Sequence, residues 1–261
     1  MWPYLGPVKT YGPVYLLSIL VHVVVALLLA RRMGLKLRIP LAISAAYLLG
    51  MTVGAKVLFD LQSGHFSFAN LVSIEHYMKG GMWGGPLAYL ALAVVFALAL
   101  TGNRLAALDL TALALPIPLA IAKAACLCNG CCYGKPCKLP WAITFPAGDG
   151  PAPAGTPLHP TQVYEILMLM LITAVLYRVN TSRWRGTLLL WFLALYGIGR
   201  PLTEFFRGDL AHQPHWGLLT RSQWLCGMAG AISIAVLILS RCRSRQEPVV
   251  AVNPVGDSLP V

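Results

Sequence analysis

The chain has 261 residues, 57% of them hydrophobic and only 11% charged, with a mean hydropathy of +0.69. Soluble domains carry about 25% charged residues, so this balance excludes an ordinary soluble protein and predicts an integral membrane protein. The net charge of +11 does not argue for nucleic acid, because the basic residues form short clusters between apolar runs, as membrane topology signals do.

Lys9 precedes a first apolar run, Tyr11 to Ala30, which ends in Arg31-Arg32. A cleavable signal would carry its charge ahead of the apolar core, so this run is expected to stay as a helix. Runs at about 12–31, 39–59, 85–101, 105–125, 162–179, 186–205 and 223–240 are each near the ~20 residues that cross a bilayer. The fold class expected is therefore an all-α integral membrane protein with seven transmembrane helices. They form a single domain over 1–246, followed by a disordered polar tail at 247–261 with Pro248, Pro254 and Pro260. No internal repeat points to an inverted-repeat transporter.

Arg31, Arg32, Lys36 and Arg38 follow the first span, Arg104 the third, Arg178, Arg183 and Arg185 the fifth, and Arg241, Arg243 and Arg245 the seventh. The positive-inside rule then sets the N-terminus outside and the C-terminus in the cytoplasm. The long connections, at about 60–84, 126–161 and 206–222, fall outside, and function is expected there.

Arg200, Glu204 and Arg207 stand at i, i+4 and i+7, which puts them on one helical face. Charges within a span must pair and face the bundle interior. The group reads either as a structural ion pair or as an arginine pocket for an anionic headgroup, since the planar guanidinium grips two phosphate oxygens. Lys123 either snorkels to the interface or completes a three-cation phosphate site. His159-Pro160 opens the fifth span. Gln162 and Glu165 follow in its first turn, facing the same pocket or, for Glu165, complementing the helix N-terminus. Lys56 and His22 receive no role.

Cys126, Cys128, Cys131, Cys132 and Cys137 are crowded into one stretch. Widely separated Cys-x2-4-Cys pairs are absent, so no metal is expected. A disulfide on the oxidising side, from Cys131 or Cys132 to one of the others, competes with simple burial of small apolar thiols. Catalysis by one of these thiols would need a base beside it, and the sequence identifies none nearby.

Four patches together resemble the bacterial prolipoprotein diacylglyceryl transferases. They are Gly6-Pro7-Val8 with Tyr11-Gly12; Asn129-Gly130 with Tyr133-Gly134-Lys135; His159-Pro160-Thr161-Gln162-Val163-Tyr164-Glu165, similar to that family's His-Pro-Ser-Gln-Leu-Tyr-Glu; and Tyr196-Gly197 with Arg200, Glu204-Phe205-Phe206-Arg207 and Asp209. The resemblance implies a multi-pass inner-membrane enzyme, active at the outer leaflet. It would move the diacylglyceryl group of phosphatidylglycerol to the lipobox cysteine of an exported prolipoprotein, as a monomer and without a cofactor. It implies that Arg200 and Arg207 hold the phosphate, that Glu204 orients them, that Asn129 binds the glycerol headgroup and that Tyr11 lines the cavity. Lys123 joins them as a catalytic candidate, and Gly130, Gly134, His159, Gln162 and Glu165 as headgroup candidates. Three positions depart from the family pattern. Trp83 stands where its first outer segment has histidine, Lys123 where its central motif has arginine, and Cys131 where an acidic residue follows Asn-Gly. His76 is the candidate replacement base. A paralogue with another acceptor, a non-catalytic lipid-binding protein and a thiol redox protein are the alternatives.

Overall fold

The computed structural model describes residues 4–5, 8–64, 66–68, 84–100, 102–148, 150–180, 186–210 and 215–246. All seven expected runs are helical. The first is α1, Tyr11–Arg32. The second is α2, Arg38–Leu49, continued through a π-helical turn at Gly50–Gly54 into α3, Ala55–Ser63. α4 is Gly85–Leu100, and the fourth run divides into α5, Arg104–Ala114, and α6, Pro116–Asn129. Proline suits the first turn of α6, where no intrahelical N–H is required. α7 (Thr161–Val179), α8 (Leu188–Glu204) and α9 (Arg221–Gln246) complete the bundle.

Among the described residues, five stretches are long and apolar enough to cross a membrane: Tyr11–Arg32, Arg38–Leu61, Arg104–Asn129, Thr161–Val179 and Arg221–Cys242. α4 and α8, with 16 and 17 residues, are shorter than the ~20 residues a full crossing needs. The α5–α6 stretch is the central post, with 72% of its apolar window buried against 17% in α9. α1 and α7 pack on α6, α4 packs on α2 and the π turn, and α9 lies along α8. A Cβ on Gly197 would come within 2.5 Å of the Cys226 carbonyl and 2.6 Å of the Gly230 Cα, so only glycine lets α8 and α9 approach this closely.

Several polar groups inside the bundle find partners on other helices. The Asp109 carboxylate on α5 accepts the N–H groups of Gly186 and Leu188, capping α8. His22 stacks on Tyr47 at 4.0 Å and lies 3.3 Å from the Tyr89 hydroxyl, while Lys56 sits 5.1 Å over the Phe59 ring.

Among the described residues, three two-stranded antiparallel pairs decorate the helix ends: β1 (Tyr4–Leu5) with β2 (Val8–Lys9), β3 (Ile143–Thr144) with β4 (Pro157–Leu158), and β5 (His215–Trp216) with β6 (Leu219–Thr220). They gather where α1, α7 and α9 begin. Trp141, Trp216 and Trp224 are exposed at that end, as tryptophans are at a membrane interface.

Candidate functional site

The site is assembled where α6, α7, α8 and α9 meet beneath these strand pairs. α6 runs through Asn129, beyond the expected boundary at 125, so Cys126, Cys128 and Asn129 occupy its last turn rather than a loop. Gly130, at φ +70°, ends the helix in the left-handed conformation that glycine adopts without strain. The chain then pairs with the end of α8: Lys135 N–H donates to the Phe206 carbonyl at 2.8 Å and Gly208 N–H to that of Tyr133 at 2.9 Å. Gly134 bridges Arg207, and a side chain there would collide with the His159 backbone. Gly134 is thus a close-packing position.

A buried ion cluster lies at the centre. Glu165, only 1% exposed, receives Lys123 Nζ at 2.7 Å on one oxygen and Arg200 Nη1 at 3.2 Å on the other. Glu165 therefore joins two helices to its own, which is more than a complement to the α7 N-terminus. Arg200 Nη2 also reaches Glu204 at 3.4 Å. Arg207 departs from the expected helical face. α8 ends at Glu204, and tightened turns follow, with Phe206 N–H donating to the Thr203 carbonyl and Arg207 N–H to that of Glu204. The pairing with the cysteine loop draws the backbone out of the helix. Arg207 is then held by Asp209, Nε to Oδ1 at 2.9 Å and Nη2 to Oδ2 at 2.8 Å, and not by Glu204.

Glu204 is fixed from α9 instead. Thr220 and Ser222 donate their hydroxyls to its two oxygens at 2.7 and 2.6 Å. Thr220 and Gln223 form a reciprocal capping box, with Thr220 N–H to Gln223 Oε1 at 2.9 Å and Gln223 N–H to Thr220 Oγ1 at 3.1 Å. The sequence reading passed over Thr220 and Ser222, although Thr220-x-x-Gln223 before an apolar run is the signature of such a box. The role of Asp209 in holding Arg207 was not legible.

Gln162 is fully buried. Its Nε2 donates to the Cys131 carbonyl at 2.7 Å, while its Oε1 has no donor among the described residues. His159 lies 3.1 Å from the Tyr164 hydroxyl and against Phe206, at the edge of the cluster. Tyr11 begins α1, stacks on Tyr15 at 5.7 Å and lies close enough to Cys126, Cys131 and Cys132 to interact with them electrostatically.

All seven cysteines carry free thiols in this structure. The sulfur atoms of Cys126, Cys131 and Cys132 lie within 4.8 Å of one another, whereas Cys128 and Cys137 stand apart from that cluster. Hydrogen bonds from Cys126 and Cys131, aided by the charges of Lys123 and Arg207, hold the Cys132 thiol well below its ordinary range against the effect of burial. Cys131, although its hydrogen bond with Cys126 pulls it down, is pushed up to about 12 by its bond to Cys132 and by burial.

A groove of ≈ 650 Å³, open side included, runs between α4, α8 and α9. Pro86, Leu87, Leu90, Leu193, Leu225 and Ala229 make it apolar along its length, and Arg200 and Ser222 supply its polar lining. A molecule with a hydrocarbon chain and an anionic head matches that lining.

The model of the prolipoprotein diacylglyceryl transferase family matches residues 3–239. The chain belongs to this family. A phosphatidylglycerol–prolipoprotein diacylglyceryl transferase of Polynucleobacter necessarius subsp. necessarius is 34% identical over 187 residues, covering 69% of this chain and 70% of that protein. Its counterpart in Polynucleobacter asymbioticus is 33% identical over 75% of each chain. That of Rhodopseudomonas palustris is 29% identical over 91% of this chain and 88% of its own. Within this family member, Lys123 makes a single point contact with Glu165, whereas the Arg200 fork spans two carboxylates. His76 and Trp83 lie outside the described residues.

Proposed function

We propose that this protein is a transferase that moves the diacylglyceryl group of phosphatidylglycerol to the lipobox cysteine thiol of a prolipoprotein and releases glycerol phosphate. The observation that carries the reading is the apolar groove with Arg200 in its lining, in a chain of this family. The acyl chains lie in the groove and the phosphate meets the cations. Arg200 and Arg207 hold the phosphate and stabilise the charge that develops on the leaving oxygen. Glu204 aims Arg200, and Asp209 aims Arg207. Lys123, sharing Glu165 with Arg200, adds the third cation. Asn129 and the orphaned Gln162 Oε1 accept hydroxyls of the glycerol headgroup, and Tyr11, Gly130, Gly134 and His159 shape its surroundings. The acceptor thiolate attacks the glycerol carbon that bears the phosphate.

The protein is a monomer that crosses the bacterial inner membrane seven times, N-terminus outside and C-terminus in the cytoplasm, with the site facing the outer leaflet. The arginines that end α1 and open α2 and α5 support that orientation. α4 and α8 complete the seven.

Purified protein in phosphatidylglycerol membranes, given a lipobox peptide, should yield a diacylglyceryl adduct by mass spectrometry. Arg200→Ala should lower its rate about 10²–10³-fold, the loss typical of one transition-state donor, and Glu204→Gln should act in the same direction. Undiminished adduct from both variants would defeat the phosphate-pocket assignment. No adduct from wild-type protein that still binds the lipid would assign it another acceptor or a lipid-binding role.

A further inference from the structure

The reaction as proposed leaves one feature of the site unused. Three thiols converge at the end of α6: Cys126 from its last turn, and Cys131 and Cys132 from just beyond Gly130. Their backbone is tied down on every side. Cys131 N–H donates to the Cys126 carbonyl at 3.1 Å, the Gln162 amide holds the Cys131 carbonyl at 2.7 Å, and the Thr161 hydroxyl holds that of Cys132. Cys132, at φ 58°, is the one non-glycine among the described residues with a positive φ. Strained backbone at a residue this firmly held marks a functional position.

We propose that Cys126, Cys131 and Cys132 bind one zinc ion with an open fourth position, and that this position takes the acceptor thiol. The binding half stands on the thiol geometry alone; the acceptor half rests on the transferase reading. Zn–S bonds of ~2.3 Å put tetrahedral sulfurs about 3.8 Å apart, so sulfurs already within reach of one another need only close slightly. The neighbouring donors are committed elsewhere: both Asp209 oxygens to Arg207, Glu165 to Lys123 and Arg200, and His159 Nδ1 to Tyr164. Three protein ligands and one open position are the pattern of a catalytic zinc, not a structural one. Lys123 and Arg207 are close enough to Cys132 to offset the negative charge of a zinc tris-thiolate.

Zinc answers the acceptor thiol's need for activation. A thiol that coordinates zinc gives up its proton to water and stays bound as thiolate. Its sulfur lone pair then forms the C–S bond to the glycerol carbon. The C–O bond breaks with its electron pair going to the phosphate oxygen, which leaves as glycerol phosphate beside Arg200 and Arg207. No oxidant or reductant is involved.

The test uses the full chain in detergent, stripped of metal, kept reduced and titrated with Co(II) in place of zinc. Wild type should take one equivalent and develop thiolate-to-cobalt absorption. The lipobox peptide, but not its Cys→Ser form, should shift the visible cobalt bands as it enters the open position. Cys126→Ser, Cys131→Ser and Cys132→Ser should each lose the tight equivalent, while Cys137→Ser keeps it. If those variants fail to fold, X-ray absorption on zinc-loaded wild type decides: three sulfur ligands with one oxygen from water uphold the site, and fewer than three sulfurs overturn it. Wild type that binds no stoichiometric metal, or cobalt bands that ignore the peptide thiol, would also overturn the proposal. Removing zinc should slow adduct formation about 10²–10⁴-fold, the contribution of a positioned base, and re-adding it should restore the rate. Full activity without zinc would sink the metal's role and leave the transferase reading intact. A peptide-responsive cobalt site in a protein that forms no adduct would do the reverse.

Discussion

Glu165 is the side chain on which the cluster turns, since one carboxylate serves Lys123 on α6 and Arg200 on α8. Replacing it with glutamine keeps the shape but leaves the buried Arg200 and the partly buried Lys123 with less compensation. Glu165→Gln is expected to destabilise the protein by about 3–5 kcal/mol, as removing one partner of a buried ion pair does, read by thermal unfolding in detergent. An unchanged midpoint would mean that the cluster is solvated. The two adjacent cysteines differ in another measurable way. In metal-free protein Cys132 is held below the ordinary thiol range, so its alkylation should reach its plateau at a lower pH than that of Cys131. Cys131, pushed up to about 12, stays protonated and reacts slowly near neutral pH. Peptide mass spectrometry after iodoacetamide labelling separates them, and equal rates would contradict the assigned electrostatics.

At the scale of elements, the start of α9 carries more than its own helix. Thr220 caps it and also fixes the Glu204 carboxylate, so the helix start and the aim of Arg200 are coupled. Thr220→Ala should cost about 1–2 kcal/mol as a lost cap and also lower the transfer rate, whereas a pure cap defect would move stability alone. The tight line between Gly197 and Gly230 keeps α8 and α9 in register so that this coupling holds. α8 itself is short because its last carbonyls turn into the pairing with the cysteine loop, which carries Arg207 to Asp209.

For the molecule as a whole, the groove between α4, α8 and α9 reaches Arg200 of the ion cluster. Filling it should raise the apparent KM for phosphatidylglycerol while leaving the cations in place. Ala229→Trp, in the groove wall, tests this: a raised KM with little change in kcat is expected, and an unaltered KM would show that lipid enters elsewhere.

The sequence by itself determined the helical membrane architecture and the family, and singled out Arg200, Glu204, Glu165 and Lys123, which the structure pairs with one another. Long apolar runs must satisfy their backbone as helices in a bilayer, and isolated charges within them must find one another. The cap at Thr220-x-x-Gln223 is a local signal too, although the apolar pattern alone does not single it out. Partner choice across the bundle was decided only in three dimensions. Helical spacing set Arg207 beside Glu204, but the antiparallel bridge to Gly134 ended the helix first and gave Arg207 to Asp209. Likewise, α6 ran one turn longer than its apolar pattern. That extra turn, with the left-handed Gly130 and the positive φ of Cys132, gathered three of five neighbouring cysteines. Spacing along the chain could not select those three, because the direction of a thiol at a helix end is fixed by where the backbone turns.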